Sequence, residues 1–321
     1  MSALKIVHIT PTPLVGAPGK IAYTQRLKGH DAIAVALSDY PQGGPLKKMF
    51  LDRSLMINNF TRDYIETSIN QANIIHIHNY LPDDRVSWLK ELNQSANLVY
   101  QTHSYLCEGP LYVDRTRDTT FDFRLKLVVA QHQVRLFPHY VPVPNLVLSA
   151  PSIRLRRINE KLRVMFSPTH KRDSRWGGKY SHRIEEILNS LSNLGIIDVI
   201  SPEEPIPPET LIEIRRSCHI SIDEIATGGF HMVSLEAMCV GNIAINRADY
   251  FAKSTFASFC EGEVPPFLYA DDGCIADILL ELSDDWEKTA HLQQQSYNYF
   301  IRYCNPLRLV EVFDEAYQCM D

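Results

Sequence analysis

The chain has 321 residues, 45% apolar and 22% charged, with 32 basic against 38 acidic side chains and a net charge of −6. This is the composition of a folded globular protein; it excludes disordered and fibrous classes and argues against a surface given over to nucleic acid. The total hides an asymmetry, because residues 151–183 hold 10 basic and 2 acidic side chains while residues 184–321 hold 7 and 24.

In chain order, short β-branched runs alternate with helical patterns, which predicts parallel sheets built from βαβ units. Strands are expected at 5–10, 32–37, 73–78, 97–102 and 126–130, with helices at 20–28, closed by Gly29, and at 83–92. Two prolines in Val141-Pro-Val-Pro-Asn145 disfavour helix and cannot feed a central strand, so a domain boundary is placed there. A second series follows: a strand at 163–166, a helix at 183–194 stopped by Gly195, and strands at 196–200, 219–223 and 242–246. Two doubly wound α/β domains result, 1–145 and 146–321, with terminal helices at 297–321 whose packing the sequence leaves open. Seven well-separated cysteines, an odd number, predict reduced thiols. The N-terminus lacks a signal-like apolar core, and no run reaches the roughly 18–20 apolar residues of a membrane span. A cytoplasmic protein is expected, with any membrane contact peripheral.

The most informative segment runs from Ser221 to Gly241, reading strand, glycine turn, helix, glycine stop. A turn of Thr227, Gly228 and Gly229 before a helix N-terminus can offer backbone N–H groups to a phosphate. Glu236 is the helix's one charge, and its neighbours three and four residues away (Met232, Val233, Cys239, Val240) are apolar, so periodicity puts it on the buried face. A carboxylate there needs a partner. Vicinal hydroxyls of a ribose and a structural ion pair with an arginine both satisfy that need. The basic stretch continues after the 163–166 strand with His170-Lys171-Arg172 and Arg175-Trp-Gly-Gly-Lys179. It sits where doubly wound sheets bind ligands, and Arg175 with Lys179 is suited to clamp a diphosphate. A solvated basic loop is the plain alternative.

The order Thr-Gly-Gly-Phe-His-x-x-x-Leu-Glu-Ala-Met-x-x-Gly resembles the signature of family 4 (group 1) retaining glycosyltransferases of the GT-B fold. Asn73-Ile-Ile-His-Ile-His-Asn79, Tyr100-Gln-Thr-His-Ser104 and Ser167-Pro-Thr169 follow in that family's order. The resemblance implies two Rossmann-like domains facing across a cleft. It implies transfer of a sugar from a nucleoside-diphosphate donor, with retention and without a metal or other cofactor, to a glycan, lipid-linked or other small acceptor. Carried over by position, Glu236 holds the ribose, and Thr227, Gly228, Gly229, Phe230 and His231 the phosphates or sugar. Arg175, Lys179 and Lys171 face the diphosphate, and His103 the donor sugar. The chain departs from the pattern at Gly228, where the family has a glutamate; Asp223 or Glu224 is the candidate replacement, which makes this a divergent subgroup.

In the first domain, Gly16-Ala-Pro-Gly19-Lys20 forms a glycine loop that matches neither standard phosphate loop; a cleft loop and a plain tight turn both fit. His76 and His78 share one side of a strand, but no third ligand stands at a characteristic spacing, so no metal is expected. The long segment 104–123 is assigned to the acceptor side. Rival readings are a nucleotide-sugar epimerase on the same plan and a non-catalytic binding subunit, prompted by Gly228. A nucleic-acid partner is not expected.

Overall fold

The computed structural model describes residues 3–40, 46–79, 81, 83–103, 122–131, 134, 137–168 and 181–320. The chain divides into two compact units, Met1–Leu146 with Pro306–Asp321, and Val147–Asn305.

The first unit contains β1 (Lys5–Thr10), α1 (Ala17–Leu27), β2 (Asp31–Ala36), β3 (Leu55–Met56), α2 (Arg62–Asn70), β4 (Ile74–His78), α3 (Asp83–Leu92), β5 (Asn97–Thr102), β6 (Leu125–Val129) and β7 (Val141–Val143). Their order in the sheet is β3-β2-β1-β4-β5-β6-β7, and every pairing is parallel. Parallel strands covered on both faces read as continuous apolar runs, and β4 is buried along its whole length. The Val141-Pro-Val segment is a strand after all, but an edge one, the position where proline's missing N–H costs no ladder bond. Helix α2 carries its buried stripe on Ile65 and Ile69, one turn apart.

Helix α1 begins three residues before the expected position. Gly16 precedes it with φ of 78°, and Pro18 fills the first turn, so Gly19 lies inside the helix and not in a loop. A Cβ on Gly19 would stand 2.9 Å from Ser54 Oγ and 3.1 Å from the Arg53 carbonyl oxygen. Close packing of helix on loop therefore explains this glycine.

The second unit contains β8 (Leu162–Phe166), α4 (His182–Asn193), β9 (Ile197–Ile200), α5 (Pro208–Arg216), β10 (Ile220–Ile222), α6 (Met232–Cys239), β11 (Ile243–Asn246), α7 (Tyr250–Ala257), β12 (Leu268–Tyr269), α8 (Ile275–Asp284) and α9 (Trp286–Tyr303). Its sheet runs β12-β11-β10-β8-β9, again parallel throughout. One core cluster joins the apolar faces of β8, β10 and β11 to Ile184, Leu188 and Leu191 of α4 and to Ile275, Leu279 and Leu282 of α8. The two last helices, α10 (Pro306–Leu309) and α11 (Glu311–Gln318), belong to the first unit. Phe313 and Tyr317 of α11 are buried there, and Asp314 pairs with His30 at 3.4 Å. The six described cysteines are free thiols. Among the described residues no helix is long and apolar enough to cross a membrane.

Candidate functional site

In each doubly wound sheet, ligands bind beyond the carboxyl ends of the strands, at the point where strand order reverses. In the second unit that point lies between β8 and β10. The loops leaving these strands are the basic segment after Phe166 and the turn after Ile222. Lys171, Arg175 and Lys179 lie outside the described residues.

The turn before α6 is built by carboxylates. Glu224, buried, accepts from the N–H groups of Ala226 and Thr227 at 2.9 and 2.8 Å and from the Thr227 hydroxyl. Asp223 accepts from His231 N–H at 2.6 Å, from Ser234 N–H at 3.3 Å and from the Ser234 hydroxyl at 2.7 Å, which caps α6 from the end of β10. Although burial opposes its charge, these hydrogen bonds and His231 hold the Asp223 carboxyl below its ordinary range. Both carboxylates, the candidates for the glutamate absent at Gly228, are thus hydrogen-bonded within the turn. They also occupy N–H groups the sequence offers to a phosphate. Gly228 has φ of 82°, a conformation L side chains rarely adopt, and its carbonyl accepts from Asp249 N–H at 2.9 Å. A glutamate here would be strained. Gly229 donates to the Thr227 hydroxyl at 3.3 Å.

Phe230 is packed by its ring. Its ring is fully buried, 5.4 Å from Phe256 and 4.8 Å from Phe267, so it anchors the turn in the core. His231 stands at the helix entrance with Nδ1 3.4 Å from Asp223.

Glu236 is not on the buried face of α6. It shares with Met232 and Val233 the stripe that retains solvent contact, because the rest of this mostly apolar helix is enclosed by β10, β11 and α9. Its side chain is 21% exposed, whereas its partner Arg215, Nη2 to Oε2 at 3.4 Å, is 0% exposed. Among the described residues, Arg215 Nε and Nη1 have no hydrogen-bond partner. A long, single contact leaves the outer part of the carboxylate able to accept from a ligand, so the ion pair and the hydroxyl-binding reading are compatible.

Part of the basic stretch has structural work. Arg156 is buried and donates to the carbonyls of Leu282 and Ser283 at the end of α8, the latter at 2.7 Å. Arg154 pairs with Glu160, Lys161 with Asp198 at 2.8 Å and Arg183 with Glu186 at 3.4 Å.

In the first unit the order reverses between β1 and β4. The loop leaving β1 holds Leu14, Val15 and Gly16 at φ of 46°, 54° and 78°. A β-branched residue in that region stores strain, of the kind concentrated at ligand-binding loops. Beside it lies a cluster that sequence spacing did not reveal, since its third member comes from another strand. His8 on β1 stands opposite His76 in the parallel register, and His78 follows on β4. All three are fully buried and their ligand-capable atoms lie within 4.8 Å of one another. His103, just after β5, adds a fourth ring, with Nε2 2.8 Å from His78 Nδ1, and its backbone N–H donates to Asn79 Oδ1 at 2.8 Å. Burial holds His8 down at about 4, and holds His76, His78 and His103 well below 6.5, so all four rings are neutral at neutral pH.

A glycosyltransferase from Rickettsia africae ESF-5 is similar over 100% of this chain and 99% of its own, with a TM-score of 0.59 at 12% identity. A sucrose-phosphate synthase from Thermosynechococcus elongatus covers 98% of both chains, with a TM-score of 0.57 at 10% identity. The glycotransferase of kitacinnamycin is similar over 98% of this chain and 100% of its own, with a TM-score of 0.51 at 8% identity. The chain has the fold of these glycosyltransferases. That agrees with the GT-B class expected from the motifs, while the narrower family 4 assignment gains nothing from it. No protein-family model matches the sequence, and no curated protein does.

Proposed function

We propose that the protein transfers a sugar from a nucleoside-diphosphate donor to a small acceptor, with retention and without a bound metal. The observation that carries this reading is Glu236, a half-open carboxylate braced from beneath by a buried arginine, one turn and a half into the helix that follows the glycine turn. That pairing suits a ribose, whose two adjacent hydroxyls donate to one carboxylate. In this reading Arg175, Lys179 and Lys171 absorb the charge of the departing diphosphate, helped by the helix end. The acceptor proton passes to the leaving phosphate, so no protein base is needed on that face. His103 is assigned to the transferred sugar. The epimerase alternative needs free acid and base carboxylates, and the nearest pair, Asp223 and Glu224, is already hydrogen-bonded to backbone.

A thermal-shift screen with UDP, GDP and ADP and their glucose conjugates tests the reading. A ligand at 100 times its Kd adds about 2.7 kcal/mol of stability, a shift of a few degrees. Lys179→Ala is expected to cut turnover by about 100-fold or more while leaving the melting temperature unchanged, the loss typical of one charge-stabilising group. Absence of any nucleotide-dependent shift at millimolar ligand would reject the donor class, and undiminished turnover in Lys179→Ala would reject the clamp.

A further inference from the structure

Four polar side chains of the first sheet meet on one face. His8 on β1 pairs in register with His76 on β4, His78 follows two residues on and projects to the same side, and Gln101 on β5 pairs with His78. All four are fully buried. Spacing along the sequence offers only the His-x-His pair of β4; the parallel register supplies the third ring.

Each ring engages an outer partner through one nitrogen. His8 Nε2 lies 2.7 Å from the Gln25 amide, His76 Nδ1 lies 2.8 Å from the Tyr317 hydroxyl, and His78 Nδ1 lies 2.8 Å from His103 Nε2. The second nitrogens remain. His8 Nδ1 and His78 Nε2 face each other at 2.9 Å, and His76 Nε2, buried, has no hydrogen-bond partner among the described residues. One nitrogen from each of the three rings lies within 4.8 Å of the other two. Buried polar atoms are nearly always satisfied, so an orphan nitrogen in such a cluster calls for an explanation. Gln101 repeats the anomaly, since neither polar atom of its buried amide has a partner among the described residues.

We propose that His8, His76 and His78 form a buried site for a divalent transition ion of the zinc type, bound through His8 Nδ1, His76 Nε2 and His78 Nε2, with the Gln101 amide oxygen available as the fourth donor. Burial keeps all three rings neutral at neutral pH, the form that offers a lone pair to a cation. Outer partners on the second ring nitrogen orient histidines at metal centres, and here each ring has one.

Bonds of about 2.0–2.1 Å in a tetrahedral site set ligand nitrogens about 3.3 Å apart. The pair at 2.9 Å has to open by about 0.4 Å, and the widest separation to close by about 1.5 Å. Rotation about the soft Cβ–Cγ bonds of the stacked His76 and His78 rings, whose centroids are 4.2 Å apart, supplies that movement. Full burial keeps substrate away from the ion. It braces β1 against β4 and takes no part in the transfer proposed above, which uses no metal, and the site does not depend on that reading.

Because the rings are enclosed, the test supplies Zn2+ or Co2+ alone while untagged full-length protein refolds from urea. One Zn2+ per chain is expected to survive gel filtration, and Co2+ to give the intense visible bands of a tetrahedral ion without a near-ultraviolet thiolate band. His8→Leu and His76→Leu are each expected to abolish retention. Tyr317→Phe, which removes only an outer partner, weakens Zn2+ binding by about 10-fold or more. His30→Gln changes a buried histidine outside the cluster and leaves binding as it was. Refolded wild type that retains no metal overturns the proposal. So does stoichiometric binding that persists in folded His8→Leu and His76→Leu, or a thiolate band in the Co2+ spectrum. If neither variant folds, zinc-edge X-ray absorption of the loaded wild type decides: three imidazole nitrogens at about 2.0 Å uphold the site, and a sulfur shell at about 2.3 Å rejects it. Failure of the nucleotide screen leaves these metal measurements standing, so the two failures are distinguishable.

Discussion

At the scale of single residues, the site depends on how two charges share one contact. Arg215 is buried with one long hydrogen bond to Glu236, so removing the carboxylate leaves a buried cation without its partner. Glu236→Ala is expected to cost about 2–3 kcal/mol in chemical denaturation, the penalty for stranding a buried charged donor. Glu236→Gln keeps an acceptor toward Arg215 and should cost under about 1 kcal/mol, while weakening nucleotide binding about tenfold through loss of a charge-assisted hydrogen bond. Equal stability losses in both variants would mean that the carboxylate serves packing alone. The type of residue at 236 was legible in the sequence, but its exposure was not. Periodicity assigned it to the core because every neighbour is apolar, and only the enclosing elements decide which apolar stripe stays open.

At the scale of elements, Gly228 and Gly19 have different causes. Gly228 answers a backbone angle, whereas Gly19 answers contact between α1 and the segment around Ser54. Gly19→Val should therefore destabilise the first unit by about 1–3 kcal/mol through overpacking against backbone that cannot yield. Urea titration followed by a probe in that unit measures it, and a loss below about 0.5 kcal/mol would show that the helix shifts freely. The α6 turn was recognisable from its glycines and its helix stop. Its construction was not, since Asp223 and Glu224 reach the turn through side-chain geometry that spacing cannot distinguish from ligand-facing carboxylates. Of the basic stretch, Arg156 is buried on the end of α8 and Arg154, Lys161 and Arg183 form ion pairs with Glu160, Asp198 and Glu186, pairings that spacing alone does not announce.

At the scale of the whole molecule, the buried histidines predict an acid limit. Each has a folded pKa below its unfolded value near 6.5, so the unfolded chain binds more protons and stability falls as pH drops. The loss begins near pH 6.5 and continues, for His8, to about 4. Each such ring contributes up to about 1.4 kcal/mol per pH unit inside that window. Hydrogen exchange of β1 and β4 amides at neutral pH and one unit below 6.5 should show the first unit opening more readily in acid. Protection independent of pH across that range would contradict burial of the neutral rings. Above pH 6.5 the term is already at its full value.

Local sequence placed the central strands β1, β2, β4, β5, β6, β8, β9, β10 and β11 and the helices α3 and α4 to within a few residues, because burial on two faces forces apolar β-branched runs, but it did not announce α2, α5, α7 or α8. It also determined the fold class, through the alternation of those elements, and singled out the turn before α6. The tertiary structure alone decided which histidines meet, since His8 and His78 lie on two strands and His103 follows a third, and they are joined by parallel register and the placement of β1 beside β4. It alone decided that α10 and α11 return to the first unit, bringing Tyr317 to Gln25 and His76. Long-range pairings of this kind carry no periodic signal: a hydrogen bond between residues 241 positions apart leaves its mark in space and not in spacing.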